Sequence, residues 1–342
     1  PILCAGNPGG RGIVYSAGIV SSPNFILTAP NALVMRYFSA DVRDRYVQFD
    51  AASNQGNSGG PLINALGEQV AVVSNKNQDE ENINFAIPID RVRENLDELF
   101  ASEVRKGFFT GLILAPLAPK AEVAQVKKGS PAAKLDLRPG DLIIRVDGKP
   151  INQQLDWLAT LLGHKAGDEL KLTVSREKKE REAILKLGLY PSPPTAKLKH
   201  PKPGLLFQVC HGRFNSTPDL SEQTVVKKGV AKALDVLAMG APKTDDFAIK
   251  LEGFLKIPAD GVYRLILNSD DGSVLRIGNQ VVVDNDGPHP ARDVGSLFRL
   301  RKGYLPIRID YFEATGDAEL SFFIEDGSGK RSPAAPLFFH SD

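Results

Sequence analysis

Residues 190–204 hold five prolines and no apolar period. Proline fixes φ and removes a backbone donor, so this run is neither helix interior nor central strand. It reads as an extended, semi-rigid linker that divides the chain. Beyond it the apolar residues recur at every second position. Phe247, Ile249 and Leu251 alternate with Ala248, Lys250 and Glu252; Leu305, Ile307, Ile309 and Tyr311 repeat the pattern, as do Leu320, Phe322 and Ile324. With turn signals such as Gly278-Asn279 between the runs, residues 205–342 read as an all-β sandwich.

Two further blocks precede the linker. Residues 1–89 set short apolar runs among Gly, Asn and Ser, a pattern of short strands and ordered loops. From Asp90 the period changes: Val92, Leu96, Leu99 and Phe100 trace one helical face, with Asp90 as the expected N-cap, and this helix closes a first unit at residue 103. In residues 104–189, Ser130-Pro131 predicts a capped helix start and Asp147-Gly148 a hairpin turn. Leu155, Leu158, Leu161 and Leu162 predict a helix ending near Gly163, and the charged run 176–182 a solvated strand end or turn. The fold class expected is mainly β, with one α+β unit in the middle.

Composition excludes several functions. The 342 residues carry 42 basic and 41 acidic side chains, a formal charge of +1, so no general electrostatic attraction to nucleic acid exists. No apolar run approaches the ~18–20 residues of a membrane helix. Cys4 and Cys210 are too few and too far apart for a disulfide framework or a zinc site.

The strongest chemical signal is Gly56-Asn57-Ser58-Gly59-Gly60-Pro61. A nucleophilic serine needs a turn that lets backbone approach a scissile carbonyl, and amide N–H groups aimed at the oxygen that becomes negative. Glycines on both sides permit that turn, and the N–H groups of Gly56 and Ser58 are the expected oxyanion donors. Standing alone, the run also fits a glycine-rich hairpin.

Its surroundings carry a resemblance. Ala5-Gly6-Asn7-Pro8-Gly9-Gly10, Ala17-Gly18-Ile19-Val20-Ser21, residues 48–62 and Asn84-Phe85-Ala86-Ile87-Pro88 resemble the HtrA (DegP-like) family of chymotrypsin-fold serine proteases. The resemblance implies a partial chymotrypsin-like β-barrel over residues 1–103. It also implies Ser58 as nucleophile, an oxyanion site framed by Gly56, Asn57 and Ser58, and a specificity pocket near Ser74, Asn75, Asn84, Phe85 and Ala86. No cofactor is expected for proteolysis.

The departure from that family is as informative. Its catalytic His and Asp precede the serine, whereas the first histidine here is His164. Without an imidazole the hydroxyl lacks a general base, and Lys76 is the one amine candidate in the first hundred residues. The expectation is a fragment that lacks the catalytic His and Asp and is inactive alone, opening at Pro1 inside an apolar run. Phe25-Ile26-Leu27 and Ala32-Leu33-Val34-Met35 are read as packing against the missing barrel.

Residues 104–189 resemble the PDZ domains that follow HtrA proteases, through Phe109-Thr110-Gly111-Leu112, Gly129-Ser130-Pro131-Ala132-Ala133 and residues 137–143. This implies a carboxylate-binding loop at Phe109–Leu112, an added-strand peptide ligand, and a terminal side-chain pocket between Phe109, Leu112 and the helix bearing Leu155, Leu158 and Leu162. Residues 205–342 resemble the protective-antigen-type, lectin-like β-sandwich through 261–265, 268–273, 278–287 and Tyr311-Phe312-Glu313. Some members hold calcium on an Asp-Asp pair, which implies Asp270 and Asp271 as calcium ligands with Asp284, Asn285 or Asp286 nearby; Asp270-Asp271-Gly272 also fits a plain Asx turn.

The function expected is an HtrA-type serine endopeptidase for quality control or processing in the periplasm, cell envelope or secreted space. It would act on unfolded or C-terminal peptide substrates, dock a glycan or cell-surface ligand, and assemble as a homo-oligomer. The competing expectation is a non-catalytic scaffold binding peptide and glycan.

Overall fold

The computed structural model describes residues 1–10, 12–26, 45–76, 83–240 and 245–341. Leu27 and Ala32–Met35 lie outside them. The first unit is one antiparallel sheet of β1 (Ile2–Gly6), β2 (Val14–Gly18), β3 (Val20–Ile26), β4 (Arg45–Phe49), β5 (Pro61–Asn64), β6 (Gln69–Lys76) and β7 (Asn84–Pro88), in the order β2-β1-β5-β6-β7-β4-β3. Its two edges, β2 and β3, are consecutive in sequence, separated only by Ile19. One bent strand therefore supplies both edges and curls the sheet back on itself, the device by which barrels dispose of unpaired edges. Asp50 pins the bend: its Oδ1 accepts the Ile19 N–H at 2.7 Å, and its own N–H donates to the Ile19 carbonyl at 3.3 Å. The alternation of β4 and β5 points Val47, Phe49 and Leu62 into a small core with Ile2, Cys4, Ala71, Val73 and Ala86.

The predicted helix over 90–100 is instead broken into α1 (Ile89–Glu94), α2 (Leu96–Phe100) and α3 (Ser102–Lys106). Asn95 leaves helical geometry at φ −98°, ψ 3°, and Ala101 turns left-handed at φ 44°. Pro88, not Asp90, sits at the N-cap. These breaks divide the apolar stripe: Leu96 and Phe100 pack on the core of the second unit, while Leu99 is 63% exposed.

The second unit opens with β8 (Phe108–Phe109) and β9 (Leu112–Leu114) and is closed by a four-stranded antiparallel sheet. The Asp147-Gly148 hairpin forms as expected, both residues at positive φ. The predicted helix is a 3₁₀ turn, Ala132–Leu135, with Pro131 rather than Ser130 at its N-cap; Ser130 Oγ, one residue earlier, accepts the Ala133 N–H at 3.2 Å. Helix α4 (Gln154–Leu161) ends where predicted but turns a different face inward. Trp157, Leu158 and Leu161 are buried, whereas Leu155 and Leu162 are exposed. Arg176, read as solvated, grips Asp141 through Nε (2.6 Å) and Nη2 (2.9 Å), with Asp136 on its flank.

The third unit is a sandwich of an eight-stranded and a four-stranded antiparallel sheet. Its core is the period-two set read from sequence, including Phe247, Ile249, Leu251, Leu305, Ile307, Ile309, Tyr311, Leu320, Phe322 and Ile324. The proline-rich stretch does not hang free: Lys202–Pro203 pairs with Phe338–His340, and Ala196 bridges Tyr304. Both cysteines are buried and unpaired, one in the first unit and one in the third.

Candidate functional site

The loop between β4 and β5 is built by close backbone contacts that only glycine tolerates. A Cβ on Gly60 would lie 2.1 Å from the Ala5 carbonyl oxygen, and one on Gly6 would strike Asn57. Gly56, at φ +105°, packs on Asn7 and Pro8, and its carbonyl accepts the Asn7 N–H at 3.1 Å. Two reciprocal bonds, Gly59 N–H to the Val73 carbonyl (2.8 Å) and Val73 N–H to the Gly60 carbonyl (2.9 Å), staple the loop's exit to β6.

The result presents Ser58 on the surface while Asn57 beside it is buried. The Ser58 hydroxyl donates to the Ser74 carbonyl on β6 at 3.0 Å. Among the described residues, the N–H groups of Gly56 and Ser58 have no backbone acceptor, and Asn57 Oδ1 is a buried oxygen without a partner. An exposed hydroxyl and neighbouring amides without a backbone acceptor are the groups an oxyanion site would draw on.

Among the other residues expected near the specificity pocket, Ser74 is joined directly to Ser58. Asn75 lies beside it on β6, opposite Phe85. Asn84 is buried and serves as a strut, its Nδ2 donating to the carbonyls of Ala51 (3.0 Å) and Phe49 (3.4 Å) at the loop's entry. Phe85 packs on Phe25 and Tyr46, and Ala86 is wholly enclosed in the core.

In the second unit Gly111 takes φ +76°, and a Cβ there would lie 2.0 Å from Ser130 Cβ. The adjoining amides do not stand free. Thr110, fully buried, donates its N–H to Glu103 Oε1 at 3.2 Å and its hydroxyl to the same oxygen, while the Leu112 N–H donates to Thr110 Oγ1 at 3.1 Å. Burial pushes the Glu103 carboxyl up to about 7. Phe109 packs edge-on to Tyr190 with Lys127 over its ring. Sequence reasoning missed Glu103, because α3 is too short and too polar to signal a role.

In the third unit Asp270, Asp271 and Glu313 bring one oxygen each within 4.8 Å of one another. Asp271 is fixed by N–H donors from His289, Ala314 and Thr315, and Asp270 by that of Ala291. Burial and the neighbouring Asp271 push Asp270 up to about 6; burial also pushes Glu313 up to about 7, and its Oε1 has no partner. Asp284 and Asp286 are not in this group: Asp286 holds Thr217, and Asp284 accepts the Asp286 N–H. Asn285 is engaged by Ser269 and Arg292. The third carboxylate is thus Glu313, from a strand 42 residues on, where spacing gives no clue. The oxygen-only donor set fits a hard divalent cation.

Three family matches divide the chain: trypsin over residues 26–95, PDZ domain over 91–187 and PA14 domain over 202–332. A serine protease HhoB from Synechocystis is 29% identical over 209 residues, 55% of this chain and 49% of its own. A DegP-like periplasmic serine endoprotease from Pseudomonas savastanoi is 34% identical over 206 residues, 56% of this chain and 40% of its own. The chain therefore spans about half the length of the curated relatives it matches. Among solved structures, HtrA-type protease AlgW with decapeptide aligns over 56% of this chain and 61% of its own, at 25% identity and a TM-score of 0.25, too loose an overlay to argue from.

Proposed function

We propose that this chain, which joins trypsin-type, PDZ and PA14 segments and whose relatives are HtrA-type serine proteases, contributes the nucleophile half of a serine endopeptidase. The observation that carries the reading is the exposed Ser58 hydroxyl beside the unengaged Gly56 and Ser58 amides. Ser58 attacks a peptide carbonyl, the amides hold the oxyanion, the C–N bond breaks so that the amine half leaves protonated, and water then hydrolyses the acyl-enzyme. The proton acceptor is an imidazole from polypeptide other than these residues. None of the five histidines precedes residue 164, and His164 faces Asp168 within the PDZ segment. Unfolded or C-terminal peptides are the substrates, and the cell envelope is the setting that the periplasmic relative suggests.

The Asp270–Asp271–Glu313 group is the proposed calcium site of the PA14 segment, holding a glycan's hydroxyls through the ion; the orphaned Glu313 Oε1 supports it. A second reading, a scaffold with an inert protease half, is favoured by the Ser58–Ser74 bond, in which the hydroxyl donates to a backbone carbonyl that cannot act as its base. The test is a fluorophosphonate probe on the longest polypeptide that naturally contains these residues. Labelling lost in Ser58→Ala establishes the enzyme; a silent serine establishes the scaffold.

A further inference from the structure

We propose that α2 and α3 form an internal plug of the PDZ carboxylate loop, with Glu103 on the Thr110 amide that a peptide's terminal carboxylate would otherwise take. This rests on the PDZ reading of residues 109–112. A carboxylate-binding loop works by leaving successive amides unpaired for an incoming anion. Here the first amide is held by Glu103 and the third by Thr110 Oγ1, whose own proton goes to Glu103. The chain thus places a carboxylate of its own at the point where a ligand's carboxylate belongs.

The rest of the segment runs along α4. At its start Asp97 accepts from Gln154 Nε2 at 3.1 Å; at its end Lys106 donates to the Leu162 carbonyl just past α4. Between them Leu96 and Phe100 pack on the PDZ core. Apolar side chains beside that core followed by a carboxylate at the loop are the chemistry of an apolar peptide C-terminus.

The third unit holds the plug from outside. Arg299 Nη1 donates to the carbonyls of Arg105 (3.2 Å) and Val104 (3.4 Å), a cation at the C-terminal end of α3. Arg264 pairs with Glu98 on α2 at 2.7 Å. A Cβ at Gly107 would lie 2.9 Å from Arg299 Cζ, so this approach depends on a glycine. Whatever draws the PA14 segment away from α3 frees the plug, and a peptide that displaces the plug loosens the PA14 contact. The coupling is reciprocal because both act on one equilibrium.

The test uses the 342-residue chain and a fluorescein-labelled decapeptide ending in three leucines, with its C-terminally amidated twin, read by anisotropy. Glu103→Ala should bind the free-carboxylate peptide roughly tenfold tighter, the factor that a plug closed about nine-tenths of the time imposes. Arg299→Ala should shift affinity the same way by a smaller factor, and neither should improve binding of the amide. Equal or weaker binding by Glu103→Ala overturns the plug, and unchanged affinity in Arg299→Ala overturns the clasp. If Glu103→Ala does not fold, Arg299→Ala decides alone. Failure of all three chains to distinguish carboxylate from amide sinks the PDZ reading instead.

Discussion

The hydroxyl of Ser58 rests on the carbonyl of Ser74, 3.0 Å away on the neighbouring strand β6. A serine with a base at hand donates its hydroxyl to that base, which takes the proton as attack proceeds; here the acceptor is a peptide carbonyl, which cannot carry the proton away. The residues alone should therefore hydrolyse peptide or ester substrates no faster than a Ser58→Ala control in a fluorogenic assay. Because Ser58 is exposed, that substitution should shift the melting midpoint within the scatter of a surface change, about 0.5 kcal/mol.

The loop around Ser58 depends on missing side chains. Gly60→Ala would force a Cβ against the Ala5 carbonyl, backbone that cannot swing aside. We expect a loss of about 1–3 kcal/mol from overpacking, read by urea unfolding of the first unit. Gly59→Ala meets no atom within 4 Å but sits at φ +83°, so its cost is left-handed strain alone, about 1–2 kcal/mol.

Glu103 should give the PDZ segment an unusual pH slope. It is hydrogen-bonded by Thr110 and feels the charges of Lys127 and Asp97, and burial raises it from the ordinary carboxyl value of 4.5 to about 7. Between those values the folded state binds more protons than the unfolded one, so stability is full below the lower value and declines as pH rises through 7. Thermal melts from pH 4.5 to 8 should show this decline, and Glu103→Gln should flatten it; an unchanged slope would remove Glu103 as its source.

Asp141 works in the opposite sense. Its hydrogen bonds from Arg176, with lesser help from the Arg138 amide, hold its carboxyl below the ordinary range. The stability it confers is present at neutral pH and is lost as pH falls through that depressed value. Arg176→Ala leaves a carboxylate that is 1% exposed without its main partner. We expect about 2–3 kcal/mol of destabilisation by chemical denaturation, below the range for a fully enclosed pair because Arg176 is a third exposed.

A calcium titration followed by thermal shift checks the third unit. Wild type should rise in melting temperature with millimolar calcium, and Glu313→Gln should lose that response. A wild type indifferent to calcium would leave Asp270 and Asp271 as turn residues.

What the sequence made legible were features written locally: the glycines about Ser58, the Asp147-Gly148 turn and the alternation of the sandwich. Each follows from a short run of backbone or side-chain period. Glu103 and Glu313 escaped because a carboxylate's role depends on what the fold lays beside it, here Thr110 and the Asp270-Asp271 pair. The helix over 90–100 was misread since its apolar spacing fits one face, whereas Asn95 and Ala101 break it to serve two cores.

The pairing of Lys202–Pro203 and the contact of Ala196 with Tyr304 change what the proline-rich stretch can do as a tether. Anchored at Ala196, it leaves only residues 190–195 to span the gap after the PDZ strand, a reach of about 20 Å when fully drawn out. The third unit therefore rides on a short, stiff leash. A pull on it would be delivered as strain to the PDZ segment rather than absorbed as slack.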